Sequence, residues 1–444
     1  MAVLQVLEYE SIGVGDGLDP ERRTLTAAQM ARLEAYADRY KARTKAALFK
    51  HGPKGALIAQ NIVGVLPLGD HQIEILPKIQ GAVDVRSNLA GMIHKAYGLP
   101  LYESGRASTG ANAPHLLDVM VRLFCHELWR AVHAGLVHRY EARTEQLGML
   151  RGRLNISQQI ALNAARPDRL HCTYEEFTSD HLLNQTLKAA LLLLAKLPLA
   201  TATARSVQEL LICFDDVTVV GKQALLAQRL PEADRLTKRY TPLIKMARLF
   251  LQQSSPDVVS GPEKQFALLF DMNELFESYI AQVVKDVAHR QGIRVVLQGP
   301  RNHLALDEDR LPRFELRPDI ALFSSDQAIV GIIDTKWKRL DEAKSHAGVS
   351  QADMYQMVAY GNTYASPRVT LIYPHHTELD GHAGVKRSYC LKAEPSKEIR
   401  IASIDLAELK TVPAQIEKVI CYAGSGSSSE RVNHYARPWG ELQS

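Results

Sequence analysis

The sequence predicts a multidomain α/β protein: an α/β amino-terminal domain over residues 1–105, a helical middle region over 106–260, and a mixed sheet flanked by helices over 261–422, ahead of a flexible tail at 423–444. Three observations lead there. At 444 residues the chain is longer than one hydrophobic core usually organises. Apolar spacing changes along it, from alternation to intervals of three and four and back to a mixture of both. Stretches rich in Gly, Pro and Ser fall between those regions, at Ser254-Ser255-Pro256, Gly261-Pro262 and Gly424-Ser425-Gly426-Ser427-Ser428-Ser429.

In the first region a short apolar stretch at 3–7 precedes a helical segment at 26–48. Residues 56–65 and 72–76 read as strands around a Pro67-Leu68-Gly69-Asp70 turn, with Ile73 and Ile75 on one face and Gln72, Glu74 and Leu76 on the other. In the middle region, segments 116–136, 181–197 and 237–250 carry apolar residues at helical spacing, and Gly and Pro are sparse within them. The third region reads helix, strands, helix, strands, helix. No internal repeat is visible.

Composition excludes more than it selects. A hydrophobic fraction of 46% and a charged fraction of 23% are those of an ordinary globular protein. A net charge of +4 from 53 basic and 49 acidic residues is too small to announce a polyanion partner. The five cysteines (Cys125, Cys172, Cys213, Cys390 and Cys421) are scattered without a C-x-x-C pair, which suits free thiols in a reducing compartment. No secretory signal is visible at residues 1–14, and the longest apolar run, 189–195, is far short of a bilayer span, so a cytosolic protein without a membrane partner is expected.

The residues that suggest chemistry lie in the third region. Apolar runs at 316–323 and 329–335 flank Ser324-Ser325-Asp326-Gln327 and read as a hairpin. A turn centred between Asp326 and Gln327 sets Asp319 directly opposite Asp334, with Cβ atoms roughly 4.5–5.5 Å apart. Side chains alternate along a strand, so Lys336 shares a face with Asp334 while Thr335 points away. Two carboxylates at that separation repel each other unless a cation lies between them. Mg2+ meets that need, since it takes oxygen ligands and keeps waters in its remaining positions. For phosphodiester hydrolysis such an ion polarises the phosphate and acidifies a bound water, while a lysine orients or helps deprotonate that water. A solvated hairpin with an ordinary ion pair is the plain alternative.

Two flanking segments add to the cluster. Residues 266–288 read as a helix lying on the sheet, with Glu277 beside its apolar stripe and able to reach the patch from the side; Glu274, one turn earlier, competes for that role. Ser350 with Asp353 begins another helix on which Gln351 and Tyr355 fall one turn apart, placed to contact DNA phosphates, to position the lysine, or simply to form a capped helix with a half-buried tyrosine.

With these residues in view, the chain resembles the McrC family, nuclease subunits of McrBC modified-cytosine (type IV) restriction systems. The resemblance is carried by Leu316-Arg317-Pro318-Asp319-Ile320, Asp334-Thr335-Lys336-Trp337-Lys338, Ser350-Gln351-Ala352-Asp353-Met354-Tyr355-Gln356-Met357 and Met272-Asn273-Glu274-Leu275-Phe276-Glu277. Upstream, Gly64-Val65-Leu66-Pro67-Leu68-Gly69, Ile73-Glu74-Ile75-Leu76-Pro77-Lys78-Ile79, Leu150-Arg151-Gly152-Arg153-Leu154 and Tyr174-Glu175-Glu176-Phe177-Thr178 extend it over nearly the whole chain. It implies a PD-(D/E)XK nuclease fold at 261–422. It also implies Asp319 and Asp334 as metal ligands, Lys336 as the catalytic lysine, Glu277 as a further acid and ligand, and Gln351 and Tyr355 as the supporting Q-x-x-x-Y pair. The implied cofactor is Mg2+. The implied partners are DNA and an AAA+ GTPase or ATPase ring resembling McrB, whose hydrolysis the amino-terminal part stimulates. Gly221-Lys222 lacks the upstream glycine of a phosphate loop, so this chain would not supply the motor. Two other readings stand beside this one: a non-catalytic adaptor of an NTPase ring, and a stand-alone DNA repair nuclease.

Other features favour ordinary roles. His126, His133 and His138 lack metal-binding spacing, and His375-His376 end a strand. The basic and aromatic run 139–143, with Arg151 and Arg153, suits contact with DNA, contact with protein, or a solvated face.

Overall fold

Alternation at the amino terminus produces a four-stranded sheet in the order Val3–Leu7, His71–Leu76, Ile62–Leu68, Leu268–Asp271. The computed structural model describes residues 3–68, 71–99, 115–166, 168–230, 235, 237–253, 266–379 and 381–420. The expected 261–262 boundary, the 423–444 tail, Cys421, and Gly69 and Asp70 of the expected turn lie outside them. Val3–Leu7 runs parallel to His71–Leu76, and the other pairs are antiparallel. Ile73 and Ile75 are buried, and so is Glu74 on the opposite face. That carboxylate is tolerated because Arg86 Nε lies 2.6 Å away and the Leu116 amide donates to it at 2.8 Å. The first helix, Ala27–Thr44, starts at a capping box in which Thr26 and Gln29 bond each other's backbone. It stops before the expected residue 48, at Lys45 in the left-handed region (φ 66°).

Leu268–Asp271 corrects the sequence reading in two ways. The helix expected from residue 266 begins only at Met272, with the Asp271 side chain accepting from the Asn273 amide at 2.8 Å. The residues before it form a strand, because a short apolar run does not by itself distinguish strand from buried helix. That strand pairs with Ile62–Leu68, so a single sheet joins the first and third regions and one apolar core runs through both. The pairing requires Gly64: its φ is 133°, and a Cβ there would overlap the Leu268 carbonyl oxygen.

The middle region is helical in Leu116–His133, Leu182–Leu194, Thr201–Cys213 and Thr241–Gln253. Asp118 ties two of these together, buried and accepting from Ala200 N (2.8 Å) and Thr203 Oγ1 (3.1 Å). The region is not wholly helical, however. Arg139–Leu147, Leu170–Thr178 and Arg153–Leu154 form an antiparallel sheet. Much of the long outer strand is exposed and charged, so the alternation that marks a half-buried strand is missing from the sequence. The basic run at 139–143 lies on this sheet, where Glu176 takes Arg143 at 2.7 Å and Arg151 at 3.4 Å, and Arg151 covers the Tyr174 ring at 3.9 Å.

The third region is the expected mixed sheet between helices. Its order is Arg294–Leu297, Ile320–Phe323, Ile329–Thr335, Arg368–Pro374, Glu398–Ile404, Gly384–Cys390, with two parallel pairings in the centre. One face, with Ile320, Leu322, Ile333 and Ile372, joins the large core beneath the helix Met272–Arg290. The other, with Ile332, Leu371, Tyr373 and Ile401, packs with Met357 and Tyr360 of the helix Gln351–Thr363. Residues 332 and 333 fall in different cores, as period-2 alternation requires. A separate hairpin, Asn302–Leu306 with Pro312–Leu316, leads into the strand that follows Asp319. Among the described residues, no helix is long and apolar enough to cross a membrane.

Candidate functional site

The site grows from the register of the central hairpin. Ile320 pairs with Ile333 and Ala321 with Ile332, and the same register continued by one residue sets Asp319 opposite Asp334, as the sequence predicts. A bulge between Leu322 and Phe323 absorbs the irregular end near the turn, where Gln327 takes a left-handed φ of 67°. Asp319 lies just ahead of its strand, and its Oδ2 accepts from both the amide (2.8 Å) and the hydroxyl (3.0 Å) of Thr335. Asp334 is 1% exposed. The Lys336 ammonium lies 2.6 Å from Asp334 Oδ2, an atom with no hydrogen-bond partner beyond that ion pair.

Electrostatics at this end of the sheet are strained. Burial pushes the Asp334 carboxyl up to about 6, with Asp319's charge adding and Lys336 opposing. Burial also raises Asp319, against its bonds from Thr335. For Lys336, burial works to lower the ammonium's pKa, but the charge of Asp334, their contact and Asp319 together raise it.

Glu277 reaches this patch from the helix Met272–Arg290. Burial, then the charges of Asp319 and Asp334, push it up to about 7. Glu274 is exposed on the preceding turn and only adds to the repulsion, so Glu277 is the helix acid that faces the cluster. Gln298, which the sequence reading missed, links the two: its side chain donates to Glu277 and its amide donates to the Asp319 carbonyl at 2.7 Å. Its left-handed φ of 51° before a Gly-Pro step leaves no pattern in sequence alone. Among the described residues, no three Asp, Glu, His or Cys side chains are gathered at metal-holding distance. The pair Asp319 and Asp334 offers carboxylate oxygens, the donor type Mg2+ takes, with Lys336 already on Asp334 Oδ2; two such carboxylates would leave most of the ion's positions to water.

Gln351 and Tyr355 are placed differently from the expectation. Ser350 does cap the helix, accepting from the Asp353 amide at 3.1 Å, but Gln351 is exposed and Tyr355 is 69% exposed. A second pair with the same spacing takes the inward position. Gln356 Nε2 donates to the Tyr360 hydroxyl at 2.8 Å, and that hydroxyl donates to the Arg317 carbonyl at 3.2 Å, two residues before Asp319. Burial, joined by the charge of Asp334, raises the Tyr360 hydroxyl. The buried positions Asp353, Met357, Tyr360 and Gly361 recur at four and three, the signal that separates the two consecutive Q-x-x-x-Y spacings. His376 Nε2 meets the Leu340 carbonyl at 2.8 Å and His375 Nδ1 meets Ser403 Oγ at 3.1 Å, both beyond the strand end.

The McrBC 5-methylcytosine restriction system component family matches residues 57–374. The chain belongs to the McrBC family. The match takes in three of the four strands of the first sheet, the middle region and the hairpin with Asp319, Asp334 and Lys336, and leaves out Val3–Leu7. Among solved structures, a half-complex from a tetradecameric assembly of Thermococcus gammatolerans McrB AAA+ hexamers with bound McrC is similar in fold. The TM-score is 0.58 at 16% identity, over 94% of this chain and 100% of that one. The Thermococcus gammatolerans McrBC complex aligns at a TM-score of 0.48 and 20% identity, over 64% of this chain and 88% of that one. No curated protein matches. Membership of the McrBC family agrees with the resemblance read from the nuclease-like motifs.

Proposed function

We propose that this McrBC-family chain is the endonuclease subunit of a restriction system, a PD-(D/E)XK enzyme that hydrolyses DNA phosphodiester bonds with Mg2+ while docked on an AAA+ ring. The observation that carries the reading is the meeting of Asp319, Asp334 and Lys336 at one end of a buried hairpin, with the Lys336 ammonium 2.6 Å from Asp334. Asp319 and Asp334 would hold the ion, with Glu277 as the third acid. When bound, Mg2+ supplies polarisation of the scissile phosphate and a more acidic water. Lys336, held cationic by its carboxylate neighbours, orients the attacking water and balances charge that develops on the phosphate. Glu277, which burial and the charges of Asp319 and Asp334 push up to about 7, would hold a proton more readily than an ordinary carboxylate when it is not bound to the ion. Tyr360 and Gln356 hold the Arg317 end of the segment that presents Asp319. The fold shared with a chain from the assembly of McrB AAA+ hexamers with bound McrC supports a ring partner with McrB character. A cytosolic location follows from the same reading.

The test uses the full chain with its AAA+ partner, measuring plasmid cleavage against Mg2+ concentration beside nucleotide hydrolysis by the ring. Asp334→Asn and Lys336→Ala should abolish cutting and preserve stimulation of hydrolysis. Loss of both activities together, or cutting that survives either substitution, defeats the assignment.

A further inference from the structure

The first strand of the amino-terminal sheet delivers a buried acid to the back of the site. Glu8 follows Val3–Leu7, is 1% exposed, and its own amide donates to the Leu76 carbonyl at 2.9 Å. Its two oxygens accept from Trp337 Nε1 at 3.0 and 3.3 Å, and Oε2 also accepts from the Lys78 amide at 3.2 Å. We propose that Glu8 is a positioning residue for the candidate active site, gripping Trp337 so that Lys336 stays beside Asp334 and the helix that carries Glu277 stays in place. The proposal rests on the nuclease reading above.

Three observations support it. First, the central strand ends at Thr335; Lys336 N still donates to the Ile372 carbonyl at 2.9 Å, and Lys338 N then turns back to the Lys336 carbonyl. Trp337 is thus the first residue beyond the ladder, where side-chain contacts must do what strand pairing no longer does. Second, the Trp337 ring packs at 5.3 Å from Phe276, the neighbour of Glu277, so one indole braces both sides of the cluster. Third, Glu8 is an expensive residue for packing alone. Burial, aided by the charge of Asp271, pushes it up to about 7 despite the donors it has gathered.

The test is a double-mutant cycle of Glu8→Ala and Trp337→Phe in the full chain with its AAA+ partner. Single-turnover DNA cleavage is measured at saturating Mg2+, beside the DNA concentration for half-saturation and the stimulated nucleotide hydrolysis. Each substitution should slow cleavage by about tenfold, and the double variant should be no slower than the slower single, because both remove one linkage. Half-saturation and stimulation should be unchanged. Undiminished cleavage in Glu8→Ala, or losses that multiply in the double variant, overturns the proposal. A crystal structure of the Glu8→Ala chain provides an arm independent of turnover: the indole should leave Phe276 and the Lys336–Asp334 contact should open. If that contact is unchanged, the positioning role fails; a wild-type complex that never cuts DNA defeats only the nuclease reading.

Discussion

Neutralising Asp334 should make the protein more stable at pH 8 as it destroys the proposed activity. The Asp334 carboxyl is lifted from 3.8 to about 6, which costs the folded state about 3 kcal/mol once the group is ionised in both folded and unfolded chains. The sign follows from proton binding. Between these two values the folded chain keeps a proton that the unfolded chain has released, so stability from this group is complete below about 4 and is lost as pH rises through 6. An Asp334→Asn chain never ionises there and escapes that loss. That cost already contains the attraction of Lys336, which lowers the Asp334 carboxyl, so stripping the lysine of this partner is not a further loss. The expected gain is up to about 3 kcal/mol at pH 8, falling to about half of that near pH 5 and vanishing below about 4. Denaturant titrations of both chains at the two pH values, without divalent ions, measure the difference, and added Mg2+ should narrow the pH 8 gap by stabilising only the wild type. A variant less stable than wild type by the same margin at both pH values would refute the reasoning and make Asp334 a structural anchor.

Three further outcomes are expected. Lys336→Ala, besides abolishing plasmid cleavage, should raise the Asp334 carboxyl further, which a pH titration of carboxyl NMR signals would detect. Tyr360→Phe should cost about 1 kcal/mol in chemical denaturation by removing the bonds to Gln356 and Arg317, while Tyr355→Phe at the exposed position should change stability by less than about 0.5 kcal/mol. Gly64→Ala should destabilise the chain by roughly 3 kcal/mol or more, because neither its φ of 133° nor the backbone of Leu268 accommodates a methyl group; melting curves decide it.

The parts of this molecule legible in the sequence are those where a short-range pattern dictates the outcome. Alternation and a four-residue polar turn were enough to set Asp319 against Asp334, since register moves side chains between faces in steps of one residue. Capping at Thr26 and Ser350 is likewise written locally. What escaped depends on partners distant in sequence. Glu8 meets Trp337 across 329 positions, and Leu268–Asp271 is a strand only because Ile62–Leu68 awaits it. The charged sheet at 139–178 has too little apolar alternation to announce itself. Two consecutive Q-x-x-x-Y spacings could be separated only by asking which tyrosine faces inward.

The strand borrowed from beyond residue 260 bears on how this protein can be dissected. A fragment beginning just before the helix Met272–Arg290 would carry Phe266 to Phe270 with no sheet to receive them, offering bare amide and carbonyl groups on a greasy ribbon to any neighbouring molecule. The donor half would be left with an open edge at Ile62–Leu68. Insoluble halves would therefore reveal nothing about which half cuts and which half signals; only single-residue changes in the intact chain can apportion those roles.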